Sequence, residues 1–328
     1  MTKIHLALAF SAMASMACAE TPVLTVLTYD SFAAEWGPGP AIEKGFEATC
    51  ACDLQFVTAG DGAAVLARLK LEGASSAADV VVGLDTALIE NARASGLFAA
   101  HGLTIANDLP VPFDDPQFVP FDWGWFAFVY DKTKLAKPPA SFTELAASDI
   151  SILIEDPRSS TPGLGLVMWV KAAYGDGAAD IWAGLADNIV TVTPGWDEAY
   201  GLFLKGEADM VLSYTTSPAY HLIAEQDATK AAAAFTEGHY MQVEVAGITA
   251  ASQHAALAGQ FLTYLTGDEA QALMPVTNWM YPAKTPAAGL PAGYETLVTP
   301  AKSLLFSPFE AEAARAAAVA EWQTALSR

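Results

Sequence analysis

Hydrophobic and polar positions follow two patterns along this chain. Short apolar runs bounded by turn residues predict strands, and apolar residues three or four positions apart predict helices. After the run at 54–58, for example, Asp61 is placed to cap a helix that carries Val65, Leu66 and Leu69 on one face. The predicted strands are 22–28, 54–58, 78–83, 125–130, 150–154, 189–193, 210–214 and 241–246. The predicted helices are 40–48, 61–71, 85–95, 162–173, 196–204, 217–225, 255–265 and 310–326.

The alternation of these elements predicts a class of fold. Strands separated by helices are typical of βαβ units, so we predict an α/β fold with mainly parallel sheets and helices on both faces. The units form two groups, one before about residue 110 and one after about residue 150. The stretch 110–125 between the groups is rich in proline and aromatic residues, and we interpret it as a crossover between two lobes.

The first nineteen residues form a separate segment. Lys3 supplies a positive charge, Leu6–Ala17 is an apolar run, and Ala17-Cys18-Ala19 fits the small-residue pattern at which signal peptides are cleaved. We therefore predict a signal peptide over 1–19 and export to the periplasm. Cys18 leaves a lipoprotein open as an alternative, although no leucine stands three residues before it. No later apolar run reaches the roughly 18 residues of a membrane-spanning helix, so direct membrane insertion is not expected.

Composition excludes further classes of partner. The chain has 328 residues, with 37 acidic and 16 basic side chains and a formal net charge of −21. Nucleic acids and anionic lipids attract basic surfaces, so neither is an expected partner. Because 53% of the residues are hydrophobic and only 16% are charged, we predict a folded chain, long enough for two lobes with sizeable cores.

Motifs of common enzymes and metal sites are absent from the sequence. It contains no nucleophile elbow, no P-loop, no H-E-x-x-H pair and no EF-hand loop. His101, His221, His239 and His254 are scattered, which predicts surface or core histidines. No metal ion and no cofactor is therefore expected.

Two cysteines, Cys50 and Cys52, follow the predicted signal peptide. An oxidising compartment permits a disulfide between them, which would close a very small ring and stabilise the fold only locally. The sequence leaves open whether this bond forms. Both residues precede the second predicted strand, so we expect them at the end of the sheet opposite the ligand site.

Aromatic side chains stand at the predicted carboxyl ends of strands, the edge at which open α/β sheets bind ligands. Tyr29 and Trp36 follow the first strand, and Asp61-Gly62 follow the second. Further along the chain lie Trp196, Tyr214, Tyr220 and Trp279. Tryptophan and tyrosine faces attract cations and stack on flat rings. Such an edge in an acidic protein suggests a cationic or heteroaromatic small molecule.

Two hydroxyl-rich segments precede predicted helices. Residues 159–163 read S-S-T-P-G, and residues 214–218 read Y-T-T-S-P. Free N–H groups and hydroxyls at a helix N-terminus bind anions, although ordinary helix capping also explains these residues. Together with the aromatic edge, they suit a ligand that has a ring, a positive charge and a phosphate.

Six segments carry a resemblance to a known family. They are T-Y-D-S-F at 28–32, W-G-P-G-P at 36–40, D-P-R at 156–158, S-T-P-G-L-G at 160–165, S-Y-T-T-S-P-A-Y at 213–220 and N-W-M-Y-P at 278–282. In order and spacing they resemble the periplasmic thiamine-binding proteins of bacterial ABC transporters. The resemblance covers essentially the whole chain after the predicted signal peptide.

The resemblance implies a two-lobed periplasmic binding protein fold of type II, with a ligand cleft between lobes joined by crossover segments. We place lobe 1 at 20–122 and 243–285 and lobe 2 at 123–242 and 286–328. The implied function is non-enzymatic: the protein binds thiamine, thiamine monophosphate or thiamine diphosphate and delivers it to an inner-membrane permease. We expect the receptor to be a monomer.

The resemblance also implies roles for particular residues. Asp61 and Gly62 would meet the pyrimidine side of the ligand. The rings would be lined or stacked by Tyr29, Trp36, Tyr220 and Trp279. The polar or phosphate end would be held by Ser160, Thr161, Trp196, Tyr214, Thr215, Thr216 and Ser217.

Two alternatives stay open beside this reading. One keeps the receptor and changes the cation, to a polyamine held by several carboxylates or to a ferric ion held by paired tyrosines, for which Tyr214 and Tyr220 are candidates. The other is a thiamine-degrading enzyme on the same fold, which needs a cysteine nucleophile in the cleft. The positions of Cys50 and Cys52 argue against that enzyme.

Overall fold

The computed structural model describes residues 21–327, so the signal peptide predicted at 1–19 lies outside the described residues. The strands are β1 Val23–Thr28, β2 Asp53–Thr58, β3 Val80–Asp85, β4 Phe118–Asp131, β5 Ile152–Glu155, β6 Ile189–Thr193, β7 Met210–Tyr214, β8 Lys230–Ala232, β9 His239–Ile248, β10 Tyr281–Pro282 and β11 Ser303–Leu304. The helices are α1 Asp30–Ala33, α2 Gly39–Cys50, α3 Gly62–Glu72, α4 Ile89–Ala94, α5 Phe142–Ala146, α6 Thr161–Tyr174, α7 Ala178–Leu185, α8 Trp196–Leu204, α9 Pro218–Tyr220, α10 Ala255–Leu265, α11 Asp268–Leu273 and α12 Pro308–Leu326.

The strands form one continuous sheet in the order β2-β1-β3-β9-β4-β7-β5-β6. Strand β4 joins its two parts, because residues 118–125 pair with β9 and residues 126–130 pair with β7. We call the part built on β1, β2, β3 and β9 the first lobe, and the part built on β5, β6 and β7 the second lobe. The residue boundaries predicted for the lobes stay a prediction.

The prediction of mainly parallel sheets is wrong for the centre of the molecule. Pairs β1/β2, β1/β3, β5/β6 and β5/β7 are parallel. Strands β4 and β9, however, run antiparallel to each other and to the strands beside them, β7 and β3. Antiparallel neighbours need no crossover helix, so these two long strands can pass between the lobes directly.

Strand β4 is also longer than predicted. The predicted strand 125–130 is only its second half, and the first half lies in the stretch interpreted as a crossover. The interpretation as a crossover rests on the proline and aromatic residues of that stretch, and Pro120 lies within the strand. Pro120 is tolerated because the ladder is interrupted between Pro120 and Asp122, where Phe121 is an extra bulged residue and regular pairing is already broken.

Two predicted helices begin or continue differently in the structure. Asp85 ends β3 instead of opening a helix, and its carboxylate accepts a hydrogen bond from the backbone N–H of Ala87 at 3.1 Å, before α4 begins at Ile89. The helix predicted over 217–225 is a short α9 that continues as a π-helical turn over His221–Glu225.

The C-terminal helix α12 covers the outer side of the second lobe. It begins with a capping box between Ser307 and Glu310 and packs against α6 and α7. It also contacts α4 of the first lobe. Within residues 21–327, no helix combines the length and the apolar character that crossing a membrane requires.

Cys50 and Cys52 form a disulfide, with their Cα atoms 5.2 Å apart. Cys50 is the last residue of α2, and Cys52 directly precedes β2. The bond therefore lies at the amino end of β2, and Asp61 follows the carboxyl end of that strand, as the sequence predicted.

We predict that Gly165→Ala destabilises the protein by roughly 1–3 kcal/mol, because the added methyl group would overlap the ring of Phe126 beneath α6. Urea unfolding at neutral pH measures the change. The matched control is Gly259→Ala in α10, where the added carbon meets no described atom within 4 Å apart from its chain neighbours and the backbone of its own helix. That variant should be more stable than the parent by about 0.5–1 kcal/mol. Equal stability of the two variants would contradict this account of the contact between α6 and β4.

Candidate functional site

A cavity of about 420 Å³ lies between the lobes at the carboxyl ends of the strands. This volume falls within the roughly 300–1,000 Å³ of small-molecule sites. Three of the predicted site residues do not line the cavity, namely Ser160, Thr215 and Thr216. The other ten do: Tyr29, Trp36, Asp61, Gly62, Thr161, Trp196, Tyr214, Ser217, Tyr220 and Trp279.

Asp61 joins the two lobes across one side of this cavity. It is the N-cap residue of α3, as predicted, but its side chain caps no N–H group of that helix. Instead, its Oδ2 accepts hydrogen bonds from the Ser160 hydroxyl at 2.7 Å and from the Trp196 backbone N–H at 3.1 Å, both in the second lobe. Beside it, the backbone N–H of Ala64 donates to the carbonyl of Ser159 at 3.1 Å. Ser160 therefore acts on the cavity through Asp61.

Aromatic rings from both lobes face each other around the cavity. The ring centroids of Trp36 and Trp196 are 6.3 Å apart, and those of Tyr220 and Trp279 are 5.4 Å apart in an edge-on arrangement. Trp36 is 49% exposed, so much of its ring is free to contact a ligand. Behind Trp196, the ring of Tyr200 stacks at 5.0 Å and holds the indole from the second lobe.

Trp279 adopts a backbone conformation that is uncommon for its residue type. Its φ is +57°, in the left-handed region that costs a residue with a side chain roughly 1–2 kcal/mol. The residue ends the π-helical turn Met274–Asn278, which follows α11. This turn places Asn278, Trp279 and Met280 on the cavity wall.

The hydroxyl-rich segment after β7 is largely engaged with its own neighbours. Ser217 lines the cavity, but its Oγ lies 2.6 Å from Ser213 Oγ and accepts the Tyr214 backbone N–H at 3.1 Å. Thr216 Oγ1 contacts Met280 Sδ at 3.7 Å, and the buried Thr215 hydroxyl has no hydrogen-bond partner in the described part of the chain. The proposed role of this segment in holding a phosphate stays a prediction.

Three carboxylates form a row beneath the cavity, on adjacent strands. In the strand register Asp85 of β3 lies opposite Glu244 of β9, and Glu244 lies opposite Asp122 of β4. We call these three residues the acid row. They are almost completely buried, with exposures of 1% for Asp85, 6% for Glu244 and 0% for Asp122. Glu244 itself lines the cavity.

Two β-bulges create the acid row. The register shifts between Val82 and Leu84 and again between Pro120 and Asp122, so that Gly83 and Phe121 are extra residues. Regular pairing would instead place Leu84 and Phe121 beside Glu244. Gly83 suits its bulge because its φ is +98° and a side chain there would overlap the ring of Tyr29.

A hydrogen-bond network links the acid row to the cavity wall. The Tyr29 hydroxyl donates to Glu244 at 3.0 Å. The Asn278 amide donates to the Tyr29 hydroxyl at 3.0 Å and to Asp122 at 2.6 Å. The Gln242 amide donates to the Tyr214 hydroxyl at 3.0 Å and to Glu244 at 3.3 Å. Every partner in this network is a neutral or acidic side chain.

Burial raises the pKa of Asp61 and of the three carboxyl groups of the acid row. It raises the pKa of Asp61 to about 6, that of Asp85 to about 7 and that of Asp122 to about 8. The pKa of Glu244 is well above its usual value, first through burial and then through the charge of Asp122. Two like charges about 5 Å apart repel by roughly 3 kcal/mol at an effective dielectric constant of about 20. Burial and nearby carboxylates also raise the pKa of Tyr29, which keeps its hydroxyl as a donor.

Sequence reasoning missed the acid row, Asn278 and Tyr200 as parts of the site. One signal was available, since Glu244 is an acidic residue inside the apolar run 241–246. An acidic residue in a buried strand marks a position at which the fold tolerates an unfavourable group. Asp85 and Asp122 gave no comparable signal, because their position beside Glu244 depends on the two bulges.

Other groups with reactive side chains lie outside the cavity. Within the described range 21–327, His221, Glu225 and Asp227 are the group with metal-ligating atoms close together. These side chains already have partners, since His221 Nδ1 lies 2.6 Å from Glu225 and Lys230 Nζ lies 3.4 Å from Asp227. Cys50 and Cys52 are bonded to each other and do not line the cavity.

This architecture defines a class of protein. Two lobes, linked by long shared strands and enclosing a small-molecule cavity at their carboxyl edge, define a solute receptor with the periplasmic binding protein fold. Residues 31–272 match the family of bacterial extracellular solute-binding proteins, and the chain belongs to this family.

Comparison with individual proteins shows which members of this family the chain is similar to. The thiamine-binding periplasmic protein of Escherichia coli (strain K12) is 54% identical over 310 residues, 94% of each chain. That of Brucella abortus biovar 1 (strain 9-941) is 50% identical over 308 residues, 93% of this chain and 92% of the relative. A solved structure of a periplasmic thiamin binding protein is 53% identical, with a TM-score of 0.92 over 94% of this chain and 97% of the other. The protein is periplasmic, as the names of these relatives state for them.

We predict that Glu155 makes the stability of the protein fall as the pH rises. This residue ends β5 and is only 1% exposed, and neither of its carboxyl oxygens has a hydrogen-bond partner within residues 21–327. Burial raises the pKa of Glu155 well above its usual value, so the folded state holds a proton that the unfolded state releases. The contribution of Glu155 to stability is therefore fully present below the pKa of this residue in the unfolded chain. It declines as the pH rises towards the pKa of Glu155 in the folded state.

The measurement is the free energy of unfolding in urea at about pH 5 and about pH 8. Glu155→Gln, which does not titrate, should show a smaller decline than the parent. The exposed Glu207→Gln is the control and should keep the decline of the parent. An unchanged pH dependence in Glu155→Gln would show that this carboxyl group is not the source.

Proposed function

We propose that this chain is the periplasmic receptor for thiamine of an ABC importer, and that it binds and delivers this ligand without catalysing a reaction. One observation carries the proposal: the cavity has aromatic walls, and the carboxyl groups of Asp61 and Glu244 line it as well. Among the residues of the described range that line it, none is lysine, arginine or histidine. The names of the relatives support thiamine as the ligand.

The chemistry of thiamine matches such a cavity at both of its rings. The thiazolium ring carries a permanent positive charge and offers no N–H group, so aromatic faces and a nearby negative charge are its natural partners. The aminopyrimidine offers an N–H donor and ring-nitrogen acceptors. We assign the aromatic contacts to Trp36, Trp279, Tyr220 and Tyr29, and the pyrimidine side to Asp61 and Gly62.

The phosphate esters of thiamine are further proposed ligands. The cavity offers no cationic side chain from the described residues, so a phosphate would depend on hydroxyl and N–H groups. We assign that end of the ligand to the starts of α6 and α8 and to the segment 214–217. The starts of the two helices bring partial positive charge without a cationic side chain.

The receptor is proposed to act as a monomer that passes its ligand to an inner-membrane permease. Catalysis on thiamine is not part of the proposal, because the two cysteines that could serve as a nucleophile are bonded to each other at the far end of the sheet. Free thiazole, assayed after incubation of thiamine with the protein and an added nucleophile, should therefore stay at the level of the blank.

A ferric ion is a weaker candidate ligand than an organic cation. Burial and neighbouring carboxylates raise the pKa of Tyr214, and burial and Glu225 raise that of Tyr220, which disfavours the phenolate form that iron requires. A polyamine would use the carboxylates but not the large aromatic surface. Both are included as competitors in the test below.

The direct test is a titration of ligand-free protein with thiamine, followed by tryptophan fluorescence and by the melting temperature. Binding should change the fluorescence of Trp36, Trp196 or Trp279 and raise the melting temperature by ligand linkage. Spermidine and ferric citrate at equal concentrations should do neither. No response at micromolar thiamine, or a larger response to either competitor, would contradict the proposal.

We predict that Trp36→Ala and Trp279→Ala each weaken thiamine binding by about tenfold to a hundredfold, equivalent to roughly 1–3 kcal/mol of stacking and burial. Titration calorimetry measures the two dissociation constants. Phe309→Ala is the matched control, because Phe309 is an exposed aromatic residue at the start of α12 that does not line the cavity. If neither tryptophan variant differs from this control, the aromatic walls do not hold the ligand.

A further inference from the structure

The acid row poses a problem of charge. Asp85, Glu244 and Asp122 are direct neighbours on three adjacent strands and are almost completely removed from water. Three charged carboxylates in such a position repel one another and lack solvation. In the described part of the chain, their hydrogen bonds come only from backbone N–H groups, amides and a tyrosine hydroxyl, and none of the three forms an ion pair.

The groups that face the acid row from other elements do not relieve this problem. Tyr29 and Tyr214 face Glu244, Tyr294 lies near Asp122, Tyr240 lies near Asp85, and Asp61 is a further carboxylate whose charge acts on Glu244. The phenols are neutral, and Asp61 adds negative charge.

Two buried acceptor atoms show that a donor is missing at this position. Asp122 lies opposite Glu244 in the strand register, yet its Oδ1 receives no hydrogen bond from any described group. The Oε1 of Gln242 is likewise buried without a partner, and the amide nitrogen of the same side chain donates to Glu244. A proton held between the carboxyl groups of Asp122 and Glu244 would supply a donor to this cluster.

We propose that the acid row holds a proton while the cleft is empty, and that binding of a cationic ring above Glu244 releases this proton to solvent. The inference rests on the proposed function, since it takes thiamine as the cation. Charge balances in the step: one positive charge enters the cavity as the thiazolium ring, and one leaves as a proton. The bound state then contains a carboxylate that compensates the thiazolium.

The pKa values of the row support this exchange near neutral pH. Burial raises the pKa of Asp85 to about 7 and that of Asp122 to about 8, so protonated and charged forms coexist there. A bound cation lowers these pKa values, because it favours the charged form. Proton release on binding means that affinity rises with pH, by up to tenfold per pH unit for one released proton.

Titration calorimetry with thiamine at about pH 7 tests the proposal directly. Binding is measured in buffers with different heats of protonation, and the slope of the observed heat against the buffer heat gives the number of protons released. We expect a fraction of one proton up to one proton for the parent. Glu244→Gln should bind thiamine more weakly and lose most of the slope. Asp122→Asn is the second variant, in case Glu244→Gln does not fold.

The remaining outcomes separate this inference from the proposed function. The control variant Glu207→Gln, at an exposed position outside the cavity, should keep the slope of the parent. Normal thiamine binding with no slope overturns the proton exchange and leaves the receptor function standing. A slope unchanged in both acid-row variants overturns it as well, because the proton then comes from another group. Absence of any thiamine binding by the parent contradicts the proposed function itself.

Discussion

Strand β4 is the constraint on which the rest of the structure depends. Its backbone is hydrogen-bonded to β9 along residues 118–125 and to β7 along residues 126–130, so a single extended segment belongs to both lobes. Sheet hydrogen bonds fix the register and direction of their neighbours. The positions of the strands in each lobe, and of the loops at their carboxyl ends, are therefore set relative to one backbone. The cavity lies where this shared strand passes from one lobe to the other.

The negative charge of the protein acts at two different scales. The net charge of −21 is mostly a property of the surface, where salt screens it within about 10 Å. The carboxyl groups of Asp61, Glu244 and the residues beside Glu244 lie in or under the cavity, where screening by water and salt is much weaker. Attraction of a cation over a distance and recognition of a cation at contact therefore depend on different residues.

Much of the site could be predicted from the sequence because parallel strands share one edge. Tyr29 and Asp61 follow the parallel strands β1 and β2 of the first lobe, and Trp196 follows β6, which is parallel to β5 in the second lobe. Within each lobe, parallel pairing brings the ends of the strands to one edge whatever their distance along the chain. The hydrogen-bond partners of these side chains were harder to predict from the sequence. The position of Asp61 predicts a helix cap, but the oxygen bonds across the cleft to Ser160, a contact that only the approach of the two lobes creates.

The acid row beneath the cavity could not be predicted, for a different physical reason. The alternation of apolar and polar residues along a strand predicts which face of the sheet each side chain occupies. One extra residue in a bulge reverses this prediction for every residue that follows it. Phe121 is such a residue in β4, and Gly83 is another in β3. The same counting also failed to extend β4 through Pro120, since the bulge that tolerates this proline is visible only in the paired sheet.

The bulges have a consequence for how such receptors diverge. With regular pairing, the same sequence would set Glu244 between an isobutyl group and a phenyl ring, because Leu84 and Phe121 would take the places of Asp85 and Asp122. The charge beneath the cavity thus depends on the register of the strands as well as on the identity of the side chains. Two chains that match at every aligned position of β9 can present clefts of different charge if only one carries the extra residues. Comparison of ligand preference among proteins of this fold therefore has to compare strand register first.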